Sequence, residues 1–362
     1  MWKSEEGSTT RLIQLCIGYF TFYVITGIAA KLFTSGGADS FFKMNQIEYM
    51  VYNTIGGMVT ALGIVFVMKW YRLKSNQHIQ FGGFSLPQEI KYIIPSGLMT
   101  AIVIPTTTLM YTFEGMSVMV AMVIMRSSVI IISRVVDAVQ IKQGILHKKV
   151  FMEENIAVLF ALLAAGVNLY AVKAGDFDFI HNTAAVSILL SYIIAYTIRI
   201  YIMNYFKNTR AKGVPLDNNG FFGIEQIAAF TFVMLLSIMF FNGVNWFGWD
   251  VPQIVNFHNA FVLPNTVWFW GVISGTAFGV VAFFSVFLFM FKGRTATFAG
   301  LVNRLTSLVA GTTATLLSAI LLGAKYPKMQ DWISLLFIFI AVGFLSVAEK
   351  KRTMELKAEK TP

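Results

Sequence analysis

Cysteine is almost missing. Cys16 stands alone in 362 residues, which excludes a disulfide framework and any redox or metal site built from several thiols. Histidine is nearly as scarce: His78, His147, His181 and His258 lie far apart, with no second histidine or close carboxylate pair at ligand spacing, so neither metal nor cofactor is expected. Charge is the third shortage. Only 13% of the side chains are Asp, Glu, Lys or Arg and 56% are apolar, whereas about 25% are charged in an ordinary soluble domain. A water-soluble globular fold is thereby excluded, and the chain reads as an all-α integral membrane protein.

Apolar runs bounded by charge or turn residues give ten segments, roughly 12 to 33, 47 to 68, 90 to 112, 114 to 140, 152 to 172, 183 to 205, 222 to 241, 266 to 290, 296 to 323 and 331 to 348. Each suits one transmembrane helix. With the N-terminus inside, the inner segments hold 19 of the 28 Lys and Arg, the outer ones hold five, and four arginines lie within spans. That bias puts both ends in the cytoplasm. It also accounts for the net charge of +10, so no nucleic-acid partner is needed. Gly27-Ile28-Ala29 loosely suits a signal-peptide cleavage site, but the apolar stretch is longer than a signal core and is kept as a span. The short loops fit a bacterial inner membrane.

The spans divide into two halves of five. Ile47-Glu48 and Ile224-Glu225 lie 177 positions apart, Arg126 and Arg304 178, and Gly166 and Gly343 177. Because five is odd, the second half enters the membrane from the opposite side, the inverted-repeat plan of secondary carriers. The expected organisation is a cytoplasmic N-terminus 1–11, a first five-helix repeat 12–172, an external connector 173–182, a second inverted repeat 183–348 and a cytoplasmic tail 349–362.

Thr26-Gly27 with Lys31, Leu109-Met110-Tyr111 followed by Ile124-Met125-Arg126-Ser127-Ser128-Val129-Ile130-Ile131, and Gly300-Leu301-Val302-Asn303-Arg304-Leu305 extend the pattern over most of the chain. Together these motifs resemble the drug/metabolite transporter superfamily, in its branch of chloroquine-resistance-transporter-like and nucleotide-sugar-transporter-like carriers. The resemblance implies ten spans, a carrier activity and a substrate-contacting basic residue at Arg304, where the family has lysine. Ile224-Glu225-Gln226 stands where the nucleotide-sugar pattern has an aromatic residue and paired asparagines, which points away from a nucleotide sugar.

Every charge at membrane depth needs a partner or a wet cavity, since an ionised side chain there costs roughly 2.5 to 3.5 kcal/mol. Arg199, near the inner end of span six, is expected to snorkel to the headgroups, and Arg134 to pair with Asp137 three residues on. Arg126 and Arg304 have no acid at that spacing on their own helices. They are therefore expected to hold a carboxylate or phosphate of a substrate, with Ser127, Ser128, Asn303 and Thr306 adding hydrogen bonds; pairing with Glu225 or Glu114 is the structural alternative. Glu48 and Glu225 are read as interfacial helix-start residues or as coupling or gate residues. Pro105, Thr106 and Thr107 mark span three as a cavity wall, and Gly271, Gly275 and Gly279 mark span eight as a close-packing face.

The expected function is secondary transport of a small organic anion or polar metabolite by alternating access, as a monomer or homodimer, with a proton or exchange solute as coupling partner. The alternative within transport is a proton-coupled exporter of amino acids or cationic drugs, in which the arginines pair internally. A membrane-embedded enzyme is disfavoured because no histidine falls in a span and no intramembrane carboxylates cluster. A receptor or scaffold would share the architecture.

Overall fold

The computed structural model describes residues 6–34, 41–109, 118–170, 182–210, 213–323 and 326–358. Glu114, Met110-Tyr111 of the second motif and most of the expected connector lie outside these residues. The described residues form eleven helices: α1 (Thr9–Thr34), α2 (Gln46–Val67), α3 (Ile90–Leu109), α4 (Val118–Lys142), α5 (Met152–Tyr170), α6 (Thr183–Asn208), α7 (Asn218–Phe247), α8 (Pro252–Val262), α9 (Trp268–Phe289), α10 (Ala296–Leu322) and α11 (Met329–Ala358). Eight of them, α1, α2, α3, α6, α7, α9, α10 and α11, are long and apolar enough to cross a membrane. The protein is thus an all-α multi-pass membrane protein.

Two elements depart from the ten-segment reading. The short helix α8 starts with Pro252 in its first turn and packs on α7 and α2. Between α2 and α3, strands β1 (His78–Phe81) and β2 (Phe84–Pro87) form an antiparallel hairpin. Its two-residue turn is Gly82-Gly83, both at positive φ, the backbone that glycine supplies at no steric cost.

Local chemistry sets the helix ends. Asn45 and Glu48 form a capping box at the start of α2, Asp217 caps α7 and Thr295 caps α10. Gly248 and Gly323 end α7 and α10 in the left-handed conformation. Pro95 and Pro105 both lie inside α3 and each removes one helical hydrogen bond. The Thr106 and Thr107 hydroxyls, expected to face a cavity, instead donate to the Ile102 and Val103 carbonyls of their own helix at 2.7 Å.

Helix pairing is selective. α2 packs on α9, α3 on α7, α1 on α9 and α10, α6 on α3 and α4, α4 on α10, and α5 on α11. The α2–α9 contact is backbone to backbone: a Cβ on Gly56 would lie 1.8 Å from the Val272 carbonyl oxygen, and one on Gly275 would lie 2.1 Å from that of Asn53. The glycine face of span eight therefore packs within the chain. Gly275→Ala should lower the apparent thermal midpoint in detergent, with an overpacking cost of about 1–3 kcal/mol. Gly63→Ala, on the same α2 with open space around its Cβ, should leave the midpoint unchanged or raise it.

Candidate functional site

α1 and α6 each present two tyrosines one turn apart, Tyr19 with Tyr23 and Tyr192 with Tyr196, so each pair lies on one helix face. Between them stand the two arginines read from the sequence. Arg304, only 8% exposed, lies 5.1 Å over the Tyr196 ring and 5.9 Å from that of Phe289. Its Nε and Nη2 donors are buried without a hydrogen-bond partner. Arg126, 5% exposed, donates to the Ser307 carbonyl at 3.2 Å and to the Tyr23 hydroxyl at 2.6 Å. Tyr19 packs 5.5 Å from the Tyr23 ring and is within electrostatic reach of both arginines and of Tyr196. The structure thus gathers Arg126 and Arg304 around one tyrosine cluster.

Their expected helpers do less. Asn303 donates to the Ser285 hydroxyl of α9 at 3.0 Å, and the Thr306 hydroxyl bonds with the Cys16 thiol of α1. Both side chains are therefore engaged with neighbouring helices. Ser127 joins Arg126, Ala164 and Ser334 around a cavity of about 10 Å³, room for one water. Ser128 is partly buried on the same turn of α4.

Arg199 does not snorkel. It is buried, and its Nε and Nη2 donate to the two carboxylate oxygens of Glu225, each at 3.0 Å. Ser96 and Thr100 of α3 donate to the same carboxylate at 2.6 and 3.3 Å. A bidentate pair backed by two hydroxyls satisfies the donors of Arg199 inside the bundle, and it outcompetes reaching for the headgroups. Tyr196 is within electrostatic reach of Arg199, Glu225 and Arg304, so this pair adjoins the central cluster.

Glu225 and Asn53 each face a Ser-Gly pair of a neighbouring helix. Gly97 abuts the Glu225 carbonyl and Gly275, 178 positions on, abuts that of Asn53. Ser96 bonds with Glu225, and Ser274, again 178 positions on, accepts from Asn53 at 3.3 Å. Glu225 on α7 and Asn53 on α2 therefore have corresponding surroundings. Glu48 spends its carboxylate on the Asn45 amide at 3.1 Å, away from the arginines.

Arg134 and Asp137 also part company. Arg134 donates to Asn155 at 3.0 Å, while Asp137 accepts the Ala296 and Thr297 amides at 2.8 and 2.6 Å. The start of α10 offers free N–H groups and a positive dipole end, which satisfy a carboxylate better than one guanidinium three residues away. Around it runs a belt of helix-end contacts: Thr295 to Glu154 at 2.6 Å, Arg352 to Glu154 at 3.4 Å, and Arg294 Nε to Glu349 at 2.9 Å. Sequence spacing gave no signal for these, because each joins residues far apart in the chain.

No family profile and no curated protein matches the chain. Among solved structures, one described only as "Crystal structure of protein" is similar with a TM-score of 0.55 and 13% identity, covering 94% of this chain and 99% of its own. That likeness extends to the fold alone.

Breaking the Arg199–Glu225 pair from one side should be severe. Glu225→Ala strands a buried guanidinium and should cost about 3–5 kcal/mol, whereas Arg199→Leu with Glu225→Met should recover most of the loss. Thermal midpoints of the three proteins check this.

Proposed function

We propose that the chain is a ten-span secondary carrier of five-plus-five inverted halves, with both termini cytoplasmic, that moves a small organic anion across the membrane by alternating access. The observation that carries the reading is Arg304: a buried guanidinium with two unanswered donors, facing tyrosine rings and no acid among the described residues. A carboxylate or phosphate would supply what those donors lack. Arg126 would hold the same substrate from the other side of Tyr19.

Helix pairing supports the two-half plan. Moving every long helix to its counterpart five places on turns α2–α9 into α7–α3, α1–α10 into α6–α4 and α1–α9 into α6–α3, and leaves α4–α10 and α5–α11 in place; all of these pairs pack. The corresponding surroundings of Glu225 and Asn53, and Tyr19 and Tyr196 at 177 positions apart, support it further. In such a repeat a central site lies between the halves, and rocking one against the other exposes it to each side in turn. The Arg199–Glu225 pair, tying α3, α6 and α7, would open on one of those strokes, and its acid is the candidate for proton coupling.

The exporter reading needs Arg126 and Arg304 paired with acids; of the two expected to serve them, Glu225 is taken by Arg199 and Glu114 lies outside the described residues. Thermal-shift screening of purified protein against phosphorylated sugars, carboxylates, amino acids and cationic drugs decides between the two. Stabilisation by an anion, lost in Arg126→Ala and Arg304→Ala, is the expected result. Stabilisation by neutral or cationic compounds alone, unchanged in both variants, would move the assignment to the exporter.

A further inference from the structure

Charge bookkeeping around the central cluster specifies the substrate more narrowly than "anion". Five carboxylates are buried among the described residues, and each is answered elsewhere. Glu89 pairs with Arg210, Glu154 with Arg352, Glu225 with Arg199 and Glu349 with Arg294. Asp137 is taken by the start of α10, with Lys207 in electrostatic reach. Among the described residues two buried cations are left without a carboxylate, Arg126 and Arg304, and both belong to the tyrosine cluster.

We propose that the site takes a dianion, one negative group on Arg304 and the second on Arg126. The inference rests on the anion-carrier reading above and adds the number of charges. A monoanion would leave one guanidinium uncompensated out of water, and such a charge is stable only when paired. The two arginines differ in readiness. Arg126 already has a carbonyl and a hydroxyl as partners, whereas Arg304 has two idle donors. Arg304 therefore receives the first negative group, and Arg126 reads whether a second is present. Tyr19, in reach of both, marks the middle of the bound molecule.

The test is a ladder of linear dicarboxylates from malonate to adipate, each set against its own monomethyl ester, which keeps the length and removes one charge. Inorganic phosphate is added as a compact probe. Binding to the purified full-length protein is measured for the parent, Arg126→Gln and Arg304→Gln. At least one diacid is expected to bind the parent about tenfold or more tighter than its ester, the difference one charged hydrogen-bonding group makes. In Arg126→Gln that preference should vanish, with the ester binding as well as the diacid, and in Arg304→Gln both should be lost. An ester that binds the parent as well as its diacid overturns the charge count and leaves the anion reading standing. If no diacid, ester or phosphate binds the parent, the anion reading falls and the charge count with it. If Arg126→Gln keeps the preference for the diacid, the second negative group does not sit on Arg126 and the assignment is wrong.

Discussion

A charge taken out of water must be answered by something nearby, and in this chain that constraint organises the helices. Few charged residues lie at membrane depth, and each is met by a different device. Glu225 takes a bidentate guanidinium and two hydroxyls, while Asp137 takes the open amides of α10. The belt of Glu154, Thr295, Arg352, Arg294 and Glu349 ties α5, the turn before α10 and α11 together at one end of the bundle. Among the described residues Arg126 and Arg304 meet no carboxylate, and Arg304, held by Tyr196 and the Phe289 ring, keeps two unanswered donors, so the functional reading concentrates there.

Packing imposes a second asymmetry on helices that otherwise pair in corresponding ways. α2 and α9 meet through Gly56, Gly57, Gly275 and Gly279 with backbones in contact. Between α3 and α7 one described glycine, Gly97, makes such a close approach, and α3 carries Pro105 in its interior. With α2 and α8, α3 and α7 border a half-open apolar cleft of about 630 Å³ that Pro105 and Ile104 line. Pro105 is thus a cavity-wall residue as its position implied, while the threonines after it serve their own helix. The α2–α9 seam is thus tight, whereas the α3–α7 contact runs along a helix that carries a proline in its interior.

Much of this was legible in the sequence because hydrophobic length and charge placement are one-dimensional quantities. The ten long helices fall on the ten apolar segments, and the glycine spacing at 271, 275 and 279 named a packing face that the structure uses. The arginine pair was legible because neither residue had an acid on its own helix face. What escaped was every contact that depends on which helix stands next to which. Arg199 read as a snorkelling residue from its depth alone, since nothing in the chain says that Glu225 faces it. Asp137 read as a partner for Arg134 because spacing shows only same-helix neighbours. The tyrosines carry no charge or breaker signal in the sequence, although Tyr19 and Tyr196 lie 177 positions apart, nearly the interval of the arginines. Glu48 and Glu225 share an Ile-Glu pair in the sequence, but Glu48 belongs to the capping box of α2 while Glu225 is buried against Arg199.

The central claim is that Arg304 holds an anion that the protein carries across a bilayer. Counter-flow in proteoliposomes tests it most directly: vesicles are loaded with an unlabelled anion that stabilises the purified protein, and entry of the labelled anion from outside is followed. The account predicts a transient overshoot with the parent protein and none with Arg304→Ala reconstituted to the same density. An overshoot of equal size with Arg304→Ala, or none with the parent despite tight binding, would contradict it.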